Sequence, residues 1–229
     1  MEGKVQFLAK VPLLASLSPQ MLSRLAAQVS EKKVPKDTML FAKDEPGDSM
    51  FIIVDGQVKI VLYSMSGREL VLTVFRAGEF FGEMALLDEH DRSATAVTLT
   101  DCTLLTLRRS QFQRFIESEP AAALDLLREM SLRLRITNEK VGDLALIDVY
   151  GRVARFLLRL AESEGEQEGD WIFIPKRPTH QQIAGMIGTA RESVSRAMAM
   201  FQKSGYIRPQ ADGLLVSSKG EFADKYVQI

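Results

Sequence analysis

The sequence predicts an α+β chain made of three successive parts: a β-rich first half, a long helix, and a compact helical unit closed by a hairpin. Three observations lead there. The hydrophobic period changes from helical to alternating and back, glycines punctuate the β-rich part at near-constant intervals, and two short helices flank a small-residue turn near the end. At 229 residues there is room for one large domain or two small ones.

Residues Val11 to Ser30 read as helix. Leu13, Leu14, Leu17, Leu22, Leu25 and Val29 fall near helical spacing, and Ser18-Pro19 starts a second turn of structure. From Thr38 to Leu107 the pattern becomes short β-branched and aromatic runs: MFIIV, VKIVLY, ELVLTVF, ATAVTL and TLLTL. Glycines 47, 56, 67 and 78 lie 9, 11 and 11 apart, which suits a compact antiparallel barrel or sandwich built from hairpins.

A helical stretch follows from Ser110 to Leu146. After Pro120 it carries a seam at 3,4 spacing through Leu127, Ser131, Leu134, Asn138, Val141 and Ala145. A polar Asn on such a seam fixes register and a two-stranded state at some cost in stability, so a homodimer is expected. Asp148 precedes a fresh helix as an N-cap should, which puts a hinge near Leu146 to Gly151. An acidic segment, AESEGEQEGD, then leads to a short apolar strand, WIFIP.

Composition removes several classes of function. A single cysteine, Cys102, excludes a disulfide framework and any multi-cysteine metal or iron–sulfur site. Its setting in TDCTLLTL suits a small buried hydrophobe. Two histidines, His90 and His180, leave little material for a zinc or haem centre. No run of about 18 apolar residues is present, so no membrane span is expected. MEGKVQFLAK does not read as a signal peptide, and the expected location is cytoplasmic. No Ser/His/Asp set or pair of catalytic carboxylates stands out, so the chain does not read as an enzyme.

Two stretches carry the chemistry. FFGEMALLDEHDRSA, residues 80 to 94, holds four acids and one arginine. Gly82 and Glu83 precede a possible helical turn, Met84 to Leu87, whose free N–H groups would face the same spot as Arg92 and Ser93. A bidentate arginine with such amides is how a buried phosphodiester is held. A Glu83–Arg92 salt bridge pinning a hairpin would use the same residues.

The second stretch runs from Thr179 to Ile207. Thr179 and Gln182 make a capping box, and Ile183, Ala184 and Ile187 give the helix an apolar face. Gly188 permits a tight turn, and Val194, Ala197, Met198 and Phe201 bury a second helix. This is the steric pattern of a helix-turn-helix. Its outward face presents Arg191, Glu192, Ser195 and Arg196. The arginines can donate in pairs to guanine, and Glu192 can accept from cytosine. Thr179, His180 and Gln181 at the first helix start are candidate phosphate contacts. From Lys176 to Arg208 there are six basic residues and one acid, a footprint that suits DNA and equally a solvated helical hairpin. TyrIleArgPro, Asp212-Gly213 and LLVS then read as a two-stranded wing.

With FFGEMALLDEHDRSA, RLRITNEKVGDLALIDVYGRVARFLL and HQQIAGMIGTARESVSR in this order and spacing, the sequence resembles the CRP/FNR superfamily of bacterial transcription regulators over nearly its whole length. The resemblance implies an N-terminal cyclic-nucleotide-binding β-roll (1–120), a dimerisation helix and hinge (121–148), and a C-terminal winged helix-turn-helix (149–229). It implies a cyclic nucleotide effector, cAMP first, held by Gly82, Glu83, Met84, Arg92 and Ser93. Glu83 would accept from the ribose 2′-OH, while Arg92 and Ser93 hold the cyclic phosphate. Thr137 and Asn138 fall where the cyclic-AMP receptor branch places a Thr-Ser pair that meets the adenine from both subunits; Asn for Ser is a departure. Arg191, Glu192 and Arg196 match that branch's base-reading residues, which implies a TGTGA-like palindrome. Double-stranded DNA, a second copy of the chain and RNA polymerase are the implied partners, with no metal, haem or iron–sulfur cluster. Sensing of cGMP, cyclic di-GMP or no nucleotide stays open, as does a regulatory module that controls a partner enzyme.

Overall fold

A computed structural model describes residues 2–14 and 17–227. The chain divides into two compact units, Met1–Ser64 with Val71–Arg135 and Met65–Leu70 with Ile136–Ile229.

In the first unit, α1 (Glu2–Leu8) was not predicted, while a 3₁₀ turn (Pro12–Leu14) and α2 (Pro19–Gln28) stand in the stretch read as helix over 11–30. Positions 15 and 16 of that prediction lie outside the described residues. Proline explains the break: it cannot donate an N–H, so it belongs at a first helical turn and not in an interior. Pro19 opens α2, and the Ser18 hydroxyl accepts from the Met21 amide at 3.4 Å.

The strands β1 (Ser30–Val34), β2 (Met39–Phe41), β3 (Ser49–Asp55), β4 (Gln57–Tyr63), β5 (Glu69–Arg76) and β6 (Phe80–Phe81) follow. Then come α3 (Met84–Leu87), β7 (Thr95–Thr98), β8 (Cys102–Arg108), α4 (Arg109–Ser118) and α5 (Pro120–Leu146). They form two four-stranded sheets, of order β1-β8-β3-β6 and β2-β7-β4-β5. The sequence runs MFIIV and TLLTL are nearly continuous in apolar character because the first sheet is covered on both faces. Ile53, Cys102 and Leu104 meet Val58, Phe75 and Ala96 of the other sheet. Met50, Ile52, Leu105 and Leu107 turn the opposite way, onto Leu22, Leu25, Phe112, Phe115 and Leu126 of the helices.

Strand β1, SEKKV, was not predicted. Four of its five residues are exposed, so no hydrophobic alternation marks it. Its register comes from pairing, Ser30 opposite Thr106 through Val34 opposite Cys102. A charged edge strand of this kind discourages pairing with other chains.

The second unit contains α6 (Val149–Glu164), β9 (Glu166–Glu168), β10 (Trp171–Pro175), α7 (His180–Ile187), α8 (Arg191–Lys203), β11 (Ile207–Gln210), β12 (Gly213–Ser217) and α9 (Glu221–Tyr226). The predicted N-cap at Asp148 is present, its carboxylate accepting from the Gly151 amide at 2.7 Å. The acidic segment does not stay a loop: its second half is β9, which pairs with β10. The wing hairpin is β11–β12, in a sheet of order β11-β12-β10-β9.

Helix α9 was not predicted, and it closes the core. Phe222 is fully buried, with its ring 5.0 Å from those of Phe201 and Tyr206. The bend between α5 and α6 is braced by ion pairs from Asp143 to Arg155 and from Glu139 to Arg159, the latter at 3.5 Å. Arg155 also donates to the Val227 carbonyl at 3.2 Å, and Arg152 to that of Ile147 at 2.8 Å.

Truncation of a fully buried aromatic costs about 3–5 kcal/mol. Phe222→Ala is therefore expected to lower the urea midpoint of the transition that unfolds the second unit. Lys225→Ala, on the same short helix but exposed, should leave that midpoint nearly unchanged.

Candidate ligand pocket and nucleic-acid interface

The candidate ligand site begins with the turn between β6 and α3. Gly82 has φ +81°, a left-handed backbone that side chains rarely adopt. A Cβ there would lie 2.8 Å from Arg92 Nη1, so the guanidinium can pack on the backbone only because no side chain intervenes. Gly47 does the same on another side, with Arg92 Nε 2.9 Å from where its Cβ would stand.

Arg92 is 5% exposed. Its Nη1 donates to the Gly82 carbonyl at 2.8 Å and its Nη2 to the Ser49 carbonyl at 2.6 Å. The guanidinium lies over the Phe41 ring at 4.2 Å. Nε is buried and has no hydrogen-bond acceptor among the described residues. Burial lowers the Arg92 pKa from its ordinary value; the Asp48 and Glu83 charges oppose that shift and the Arg109 charge adds to it. Arg109 has its own anchors, the carbonyls of Gly47 and Ala85, each at 2.7 Å.

Glu83 is 4% exposed, and it does not form the hairpin-pinning pair with Arg92 that the sequence left open. Its partner is Arg133 of α5, with Nη1 to Oε1 at 3.1 Å. Arg133 also donates to Glu129 at 2.9 Å and to the Phe80 carbonyl at 2.8 Å, and it lies over the rings of Phe75 and Phe80. Burial pushes the Glu83 carboxyl above its usual range; the nearby Arg133 charge and Glu83's own amide pull it back. Between the two arginines runs a row of stacked phenylalanines: Phe41 to Phe51 at 6.0 Å, Phe51 to Phe81 at 5.2 Å, and Phe81 to Phe75 at 6.1 Å.

The predicted turn Met84 to Leu87 is present as α3, with the Leu86 and Leu87 amides both donating to the Glu83 carbonyl. Ser93 is exposed beside Arg92, its hydroxyl 3.7 Å from Met84 Sδ. The structure thus gathers Gly82, Glu83, Met84, Arg92 and Ser93 at one place. A buried cation with an unanswered N–H, next to side-chain-free backbone and an exposed hydroxyl, is chemistry that fits a phosphodiester. Thr137 and Asn138 are exposed on α5, in the second unit.

Sequence reasoning missed Arg133, Gly47 and the phenylalanine row. One signal for Arg133 was available: it lies four residues after Glu129 and four before Thr137, on a single helical row.

The second site is built by α7 and α8. The capping box forms as predicted, Gln182 N donating to the Thr179 hydroxyl at 3.2 Å and Thr179 N to the Gln182 side chain at 2.8 Å. Gly188 has φ +67° and turns the chain between the helices. Val194, Ala197, Met198 and Phe201 are buried, which leaves Arg191, Glu192 and Arg196 exposed together. Arg196 is steadied by Ser193 Oγ at 3.0 Å. Ser195 and His180, expected on the outward face of the second helix and at the start of the first, are in contact: His180 Nδ1 lies 2.8 Å from Ser195 Oγ. Gln181 and Thr179 are exposed at the start of α7. On the wing, Arg208 stacks on Trp171 at 4.1 Å.

Residues 31–119 match the cyclic nucleotide-binding domain family, and residues 151–218 match the Crp-like helix-turn-helix domain. A CRP-like cAMP-activated global transcriptional regulator of Mycobacterium tuberculosis is 34% identical over 218 residues, 95% of this chain and 97% of the relative. The cAMP-activated global transcriptional regulator CRP of Escherichia coli is 31% identical over 186 residues, 80% of this chain and 88% of the relative. Among solved structures, the c-di-GMP responsive global regulator CLP of Xanthomonas campestris aligns with a TM-score of 0.76 at 26% identity, covering 88% of this chain and all of that one. Likeness of this length, running through both units, makes the chain a member of the CRP/FNR family: a DNA-binding transcription regulator under cyclic-nucleotide control, not an enzyme.

Proposed function

We propose that the chain is a homodimeric regulator whose affinity for a TGTGA-like palindrome is controlled by cAMP. The observation that carries the ligand half of this reading is the buried Arg92, with its unpaired Nε against the glycine-lined turn. A cyclic phosphate supplies the missing acceptor and charge. In this reading Arg92 and Ser93 donate to the phosphate, Glu83 accepts from the ribose 2′-OH, and Arg133 holds the Glu83 carboxyl group in place. Gly82 and Met84 provide backbone at the turn, while Thr137 of one protomer and Asn138 of the other meet the base. cAMP is preferred over other cyclic nucleotides because the relatives in Mycobacterium and Escherichia are named as cAMP-activated.

A second copy is the natural cover for α5. Leu127, Leu134 and Val141 are each about 60% exposed on one helical stripe that also holds Ser131, Asn138 and Ala145. A parallel pair of such helices buries the stripe symmetrically. The first 120 residues then sense the nucleotide, residues 121–148 dimerise and bend, and residues 149–229 bind DNA. Two recognition helices set about 34 Å apart would read successive major grooves of one duplex face. Arg191, Glu192 and Arg196 are the base-reading set, with Thr179, His180 and Gln181 at the phosphates. RNA polymerase is the partner through which such a regulator acts.

Four measurements test these assignments. Arg92→Leu is expected to abolish cAMP binding in calorimetry; wild-type affinity in that variant would remove the pocket assignment. A panel of cAMP, cGMP and cyclic di-GMP on the wild type identifies the effector. Arg191→Ala should cost roughly 1–3 kcal/mol of DNA affinity and relax one base position in a binding-site selection. Leu134→Glu places like charges at the centre of the seam and is expected to give a monomer by light scattering.

A further inference from the structure

His180 is the first residue of α7, and Ser195 lies in the second turn of α8, one position before Arg196. Their 2.8 Å contact joins the two helices of the DNA-binding pair by a side-chain hydrogen bond. The Ser195 hydroxyl is thereby committed to the imidazole and is not a free base-reading group. Both residues are partly buried, so this bond is sheltered from water more than the arginines around it.

We infer that His180 and Ser195 form one proton-linked unit, which fixes the roll of the recognition helix on α7 and makes DNA affinity rise as the histidine protonates. The inference rests on the DNA-reading role proposed above.

A bond to Ser195 survives in either protonation state. A neutral ring accepts from the hydroxyl or donates to it according to its tautomer, and an imidazolium donates to the hydroxyl oxygen. Titration therefore adds a charge at the interface without releasing the recognition helix. The charged groups that act on the ring are cations: Arg177 from the segment before α7, and Arg191 from the start of α8. The positive end of the α7 dipole acts in the same sense. Burial first, then these two arginines, lowers the His180 pKa from its usual value, which favours the neutral ring in the free protein.

Duplex phosphates reverse that balance. They favour the imidazolium directly, and by neutralising Arg177 and Arg191 they remove the repulsion that opposed it. The His180 pKa is then higher with DNA bound than without. Binding takes up a proton, and affinity increases as pH falls from the bound-state value toward the free-state value, levelling off below it. Each unit of difference between the two pKa values is worth about tenfold in affinity per protomer.

The test uses the full chain with saturating cAMP and a duplex carrying a TGTGA palindrome. Fluorescence anisotropy is recorded from about pH 8 to about pH 5.5 at constant salt, the range in which histidine titrates. Calorimetry of cAMP over the same range separates any effect of Glu83 on nucleotide binding. Wild-type protein is expected to gain about tenfold or more in DNA affinity toward acid. His180→Phe loses both the Ser195 bond and the charge, and should bind more weakly throughout with no acid gain. His180→Asn can still bond Ser195 but cannot titrate; it should recover part of that loss and still lack the slope. A wild-type slope in His180→Asn overturns the proton link, and full affinity in His180→Phe overturns the positioning role. Absence of specific DNA binding by the wild type at every pH would instead remove the DNA-reading proposal itself, and this inference with it.

Discussion

The constraint on which the first unit turns is a buried guanidinium with no carboxylate in contact. An isolated charge inside a protein is costly, and here two backbone carbonyls and an aromatic face are its direct contacts, with the Asp48 and Glu83 charges acting from farther off. Much of the local architecture follows from keeping that arrangement. Gly47 and Gly82 must lack side chains for the guanidinium to fit. The carbonyl of Ser49 must point inward, which fixes the start of β3, and Phe41 must lie flat beneath, which fixes β2. Arg109 spans from Gly47 to Ala85 and so ties α3 to the same loop. The β-structure is the frame that holds this buried charge in place.

Glu83 shows how a second buried charge is handled differently. Its carboxylate has a true ionic partner in Arg133, which is itself held by Glu129, a carbonyl and two rings. Removing one member of such a group leaves the others buried and unpaired, which is far more costly than never having built it. One arginine is thus saturated and the other is left short of an acceptor, at the two ends of one row of phenylalanines. In the proposed reading, that asymmetry makes Arg92 the arginine that meets the ligand and Arg133 the one that holds Glu83.

Local signals in the sequence were read correctly wherever they were strong. The Ser18 and Asp148 caps, the Thr179–Gln182 box, the turn at Gly188 and the five apolar strands all formed as expected, because each is dictated by neighbours a few residues away. The failures share a cause: their structure is set at a distance. Strand β1 is polar and exists through its pairing with β8. Strand β9 is acidic and exists through β10. Helix α9 is too short to declare itself and is held by Phe222 against Phe201 and Tyr206. Half of the candidate site was legible because Gly82, Glu83, Arg92 and Ser93 are close in sequence. Arg133 was not, since fifty residues separate it from the carboxylate it holds. His180 and Ser195 were each noticed, but the bond between them needs the angle between two helices, which sequence does not supply.

The unanswered Nε of Arg92 also bears on how long the molecule lasts. Any ligand that supplies the missing acceptor binds the folded chain and not the unfolded one, and so stabilises the fold by mass action. A chain without its effector spends more time open to proteases than one that holds it. In the proposed reading, the same atom therefore links the effector's concentration to the protein's own turnover.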